Sequence, residues 1–128
     1  MTTTETETVH YTMIEPTPDG GSRFTEGQLP LSVRPVADGV DHMATGELAT
    51  AGVLFVRSGG FDSTPHPAPA QQWVVMIRGT IEVTVTSGHK RVFGPGDLLL
   101  AADVEGRGHS TVTVGSPPFE ALFIPADA

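Results

Sequence analysis

The residues of this chain best suited to chemistry are two histidines and a glutamine. His66 stands between Pro65 and Pro67 in "STPHPAPAQQWVVMIRGTIEV", Gln72 follows in the same stretch, and His109 comes later in "VEGRGHSTV". Imidazole takes up and gives away protons near neutral pH, and as a neutral ring it also ligates zinc, copper, iron or nickel. Two imidazoles at the edge of a pocket, with an amide to orient a carbonyl, would suit a cyclisation, isomerisation, dehydration or epimerisation. The same three side chains would alternatively make a ligand set for one divalent transition metal (Zn, Fe, Ni or Mn). A structural reading stands beside both. The prolines hold His66 extended, as at the beginning of a strand, Gln72 could pair with backbone, and Gln71 would be the inward residue if the strand slipped by one.

Strands must position these residues. From Phe24 onward, short apolar runs alternate with Gly and Pro: "LSVRPV" (31–36), "ATAGVLFVRS" (49–58), "QWVVMIRG" (72–79), "TIEVTVTSG" (80–88), "KRVFG" (90–94), "DLLLAA" (97–102), "STVTVG" (110–115) and "FEALFIP" (119–125). "TIEVTVT" puts Ile81, Val83 and Val85 on one face and Thr80, Glu82, Thr84 and Thr86 on the other. No window keeps a 3.6-residue period for the length of a helix, and 15 Gly with 11 Pro would interrupt one. The expectation is an all-β domain, either a small β-barrel or a two-sheet jelly roll. "RSGG" (57–60) and "TSGHKR" (86–91) read as hairpin turns.

If residues 66–76 form one strand, His66, Ala68, Ala70, Gln72, Val74 and Met76 share a face. On the later strand His109, Thr111 and Thr113 share another. The candidate catalytic set is therefore His66, His109 and Gln72. Trp73, Val74, Met76, Val83, Val85, Thr111 and Phe123 are the candidate substrate-binding residues around it. Trp73 is kept in that group although its odd-numbered face, shared with Val75 and Ile77, favours packing or a dimer contact. Asp103, Glu105 and Arg107 read as turn and cap groups of a polar loop, and Asp97 as a turn residue after Pro95-Gly96. His10, His42 and His89 read as surface residues, with His42 placed where it could fold over the pocket mouth.

Composition narrows the partners. The chain has 128 residues, no cysteine, and 15 acids against 7 bases for a net charge of -8. One domain is expected over residues 23–128, preceded by a flexible, polar, turn-rich arm over residues 1–22. The scattered bases give no face for nucleic acid or anionic membrane. The Thr- and Glu-rich start has neither a basic cluster nor an apolar run, and a cytoplasmic protein is expected. A small-molecule substrate and a homodimer are the expected partners, the dimer contact being sought in the arm and in "LPLSVRPV" (29–36).

Residues 49–125 resemble the cupin superfamily. Gly60, five residues, His66, then Gln72, six residues and Gly79 is similar to its first motif, G-x5-H-x-H-x3or4-E-x6-G. "FGPGDLLLAADVEGRGHSTV" resembles the second, in which a Pro-Gly-Asp turn leads through a strand to a histidine, here His109. The resemblance implies a small single-domain β-barrel or jelly roll, commonly dimeric, with a metal held at the motif positions. Ala68 occupies the second histidine's place and Gln72 the glutamate's, so the ligand set is reduced. Three functions follow as expectations. The first is a non-redox cyclase, isomerase, dehydratase or lyase acting on an apolar organic acid or polyketide-like substrate. The second is a metal-dependent oxygenase or Lewis-acid enzyme using His66, Gln72 and His109. The third is a small-ligand binding module that performs no chemistry.

Overall fold

Runs of β-branched and aromatic residues, each closed by Gly or Pro, leave no stretch suited to a helix, and none forms among the described residues. The structure, a computed structural model of the chain, describes residues 7–35, 42–59 and 62–126. The protein is all-β. Its largest sheet runs in the order β2 (Ser22–Pro30), β1 (Thr8–Pro16), β10 (Leu98–Ala101), β7 (Gln72–Arg78), β12 (Phe119–Pro125) and β5 (Leu54–Ser58). A second sheet joins β6 (Asp62–His66), β11 (His109–Val114), β8 (Thr80–Val85) and β9 (Lys90–Phe93). A two-stranded ribbon pairs β3 (Ser32–Pro35) with β4 (His42–Thr45). The pairing of β1 with β10 is parallel, and the others are antiparallel.

Alternation along the strands decides what each face buries. In β8, Ile81, Val83 and Val85 are buried while Thr80, Glu82 and Thr84 are half-buried, as the period of two requires. Ile14, Val74, Met76, Leu99 and Ala121 of the large sheet meet Ile81, Val83, Val85 and Phe93 of the small one in a single core. Trp73, Leu100 and Ile124 alternate away from that core and form a second cluster with Tyr11, Met13 and Leu48. There the Tyr11 and Trp73 rings meet edge to face, with centroids 4.7 Å apart. Among the described residues no helix is long and apolar enough to cross a membrane.

Two expectations differ from this fold. The segment read as an arm contains β1, which sits inside the large sheet between β2 and β10, with Ile14 fully buried. Its Thr-rich composition hid an alternation of Val9, Tyr11 and Met13; residues 1–6 lie outside the described residues. The run "RSGG" is not a hairpin turn, because β5 and β6 belong to different sheets; Gly60 itself lies outside the described residues. The turn at 86–91 does close a hairpin, β8 to β9, with Gly88 at φ 91°. The run 29–36 passes from the end of β2 through β3, where Val33 is exposed; residue 36 lies outside the described residues.

The β1–β2 turn is closed by its own side chains. The Thr17 hydroxyl and the Gly21 N–H both bond Asp19 Oδ1, at 2.5 and 3.1 Å. These bonds, the hydroxyl's first, hold the Asp19 carboxyl below its ordinary value. A depressed carboxylate stabilises the fold above its unfolded value and loses that contribution as pH falls through the folded one. Asp19→Asn should therefore melt below the wild type at pH 7, and the gap in Tm should close as pH is lowered past about 4. Ile14→Ala should cost about 2–5 kcal/mol in urea unfolding, the value for a core position. A loss within about 0.5 kcal/mol would mark residues 8–16 as dispensable.

Candidate functional site

Between the sheets lies a cavity of about 520 Å³, in the range of small-molecule sites. The large sheet contributes Leu54, Ser58, Gln72, Val74, Leu99, Ala101, Phe119 and Phe123 to its wall. The small sheet contributes His66, Ile81, Val83, His109 and Thr111, and the crossing segment adds Ala68 and Pro69. Leu54 and His66 are exposed and mark the mouth. Among the described residues no Lys, Arg, Asp or Glu lines the wall, and the polar side chains there are two imidazoles, one amide and two hydroxyls.

His66 and Gln72 do reach one cavity, although not along one strand. β6 ends at His66, β7 begins at Gln72, and residues 67–71 carry the chain from one sheet to the other. The two side chains meet because the sheets face each other. Pro65 is tolerated because β6 is an edge strand, where a missing ladder donor costs little. His66 and His109 are direct partners in the β6–β11 register. Their ring centroids lie 6.0 Å apart with the planes tilted by 43°. His66 Nδ1 stands 3.0 Å from the Pro67 carbonyl oxygen. His109 Nδ1 stands 2.5 Å from Asp103 Oδ2.

Of the candidate substrate-binding residues, Val74, Val83, Thr111 and Phe123 line the cavity. Met76 and Val85 are buried in the core but do not reach the cavity wall. Trp73 is on the opposite side of the large sheet, packed on Tyr11, as its odd-numbered position requires. Sequence reasoning missed Leu54, Ile81, Leu99 and Phe119, which belong to the same alternating faces. It also misread Asp103. Far from capping an exposed loop, its side chain is fully buried beneath His109. The signal available was its place six residues before His109, with two glycines between to turn the loop back. His10 and His89 are exposed as expected, and β4 begins at His42, whose side chain lies outside the described residues.

A set of polar groups positions His109. Gly108 adopts φ 72°, and a Cβ there would overlap the His66 carbonyl, so only glycine lets β11 start this close to β6. The buried Ser22 hydroxyl donates to the Gly108 carbonyl at 2.6 Å, and Thr86 N–H donates to Ser22 Oγ at 3.2 Å. The Arg107 N–H donates to the Gly20 carbonyl at 2.8 Å, docking the same loop on the β1–β2 turn.

The resemblance stated above implies a metal, and the donor set can be tested against one. Among the described residues the cavity offers His66, His109 and the Gln72 amide with no carboxylate, whereas divalent sites commonly take three imidazoles or two with a carboxylate. Among the described residues no cluster of three His, Cys, Asp or Glu could hold a metal ion. The Asp103 carboxylate is engaged behind His109. These residues do not fit a divalent ion. Comparison with known proteins gives no matching family model and no matching curated sequence.

Gly108→Ala should lose at least about 1 kcal/mol from backbone conformation alone, with the methyl overlap added. Urea midpoints measure the loss. A variant as stable as the wild type would show that β6 and β11 tolerate separation.

Proposed function

We propose that this chain is a cupin-type jelly roll that catalyses proton transfer on a small, largely apolar carbonyl compound. The observation that carries the reading is the pairing of His66 with His109 in register at the mouth of a cavity whose described lining carries no Lys, Arg, Asp or Glu. Two imidazoles this close can touch one functional group of a bound molecule. His109, the more enclosed ring, removes a proton from a carbon beside the carbonyl, and the electron pair moves onto the carbonyl oxygen. His66, open to solvent, hydrogen-bonds that oxygen and exchanges protons with water. The Gln72 amide orients the carbonyl, and Val74, Val83 and Phe123 hold the apolar body. Return of the proton to a different atom completes an isomerisation; loss of a β-substituent or attack on a second carbonyl completes a lyase or cyclase reaction. A homodimer remains part of this proposal.

The probe is 2-tetralone, an apolar ketone with exchangeable α-protons, followed by NMR in deuterated buffer. The wild type should accelerate α-deuteration. His109→Ala should reduce the acceleration by about 10²-fold or more, in the range of general base catalysis, and His66→Ala by less. Unchanged acceleration in both variants overturns the reading. Binding of tetralone without acceleration replaces it with the binding-module reading.

A further inference from the structure

We infer that Asp103 is the positioning residue of His109, fixing the ring's proton on Nδ1 and leaving the lone pair on Nε2 for the cavity. As to the use of that lone pair, the inference rests on the proposed proton transfer; the position of the proton stands independently. A carboxylate oxygen only accepts, so the 2.5 Å contact to Asp103 Oδ2 is an Nδ1–H donation. Nε2 lies across the ring from that bond, and His109 lines the cavity while Asp103 does not.

The carboxylate is held in place from its backbone. Ala102 N–H donates to the Ile14 carbonyl at 2.8 Å, and the Asp103 carbonyl accepts from Ala68 N–H at 3.0 Å. Gly106 and Gly108, both at positive φ, then bring the chain back over the side chain. Such burial is costly to the fold. Asp103 is fully buried, and its Oδ1 has no hydrogen-bond partner among the described residues. Removing a carboxylate from water on the strength of one hydrogen bond costs more than it returns. A residue kept only for stability would be an amide or an apolar group here. The geometry is that of a carboxylate whose one side-chain partner is an imidazole, the arrangement that selects a tautomer in general base sites.

The test is long-range ¹H–¹⁵N correlation of the histidine rings in the wild-type chain, with His109 assigned by its loss in His109→Gln. The expected wild-type pattern is the Nδ1–H tautomer. In Asp103→Asn, whose amide can donate as well as accept, that tautomer should lose its dominance while Tm holds or rises. Tetralone deuteration by Asp103→Asn should fall by about 10²-fold or more through kcat, with KM little changed. An Nε2–H tautomer in the wild type overturns the inference without needing any variant. An unchanged tautomer in a folded Asp103→Asn protein also overturns it. If the tautomer behaves as expected while wild-type tetralone exchange is absent, the proposed function fails and the positioning of His109 by Asp103 stands.

Discussion

Two hydroxyls join the sheets, and the cavity depends on them. Ser22 begins β2 of the large sheet, and Thr86 directly follows β8 of the small one. Ser22 N–H donates to Thr86 Oγ1 at 2.8 Å, and Thr86 N–H donates to Ser22 Oγ at 3.2 Å. The Thr86 hydroxyl then donates to the Ser22 carbonyl and the Ser22 hydroxyl to the Gly108 carbonyl. Each oxygen accepts one bond and gives one, so the buried Ser22 hydroxyl is satisfied where an unsatisfied one would be costly. Because the last bond ends on Gly108, the junction that spaces the sheets also sets where His109 begins. Apolar packing alone is non-directional and could not place an imidazole to within an ångström.

Charge is arranged around the cavity in the opposite sense to the surface. The chain has 15 acids, and among the described residues none reaches the cavity wall. A carboxylate bound deep among Val74, Val83 and Phe123 would have no counter-ion there. The charged end of an organic acid has to lie at the mouth, beside His66, with its apolar body inward.

Much of this was legible in the sequence where burial is one-sided. β8 alternates cleanly because one of its faces lies in the core, whereas β7 buries Trp73 on one face and Val74 and Met76 on the other. The exceptions share a cause. β1 carries threonines and a histidine between its apolar residues, and composition masked the period. The stretch 66–76 reads as one strand because nothing local announces that a chain crosses between sheets at Pro67–Gln71; that crossing is a tertiary fact. Trp73 was placed on the right face by parity, and its inclusion near a substrate went against that parity.

Asp103 was the least legible of all, and the reason is general. Aspartate beside glycine is ordinarily a turn residue, and the local pattern "DVEGRG" satisfies that reading completely. What reverses it is the docking of residues 103–108 against Gly20, Ser22 and Ala68, three positions distant in sequence. Those contacts close over the carboxylate and leave His109 as its side-chain partner. A polar residue buried in this way lowers stability unless something offsets it, so natural sequences tend to keep such residues where the site needs them. On that argument the functional weight of the loop lies in the one aspartate that its composition disguises, and the exposed Glu105 and Arg107 serve to turn and dock the chain around it.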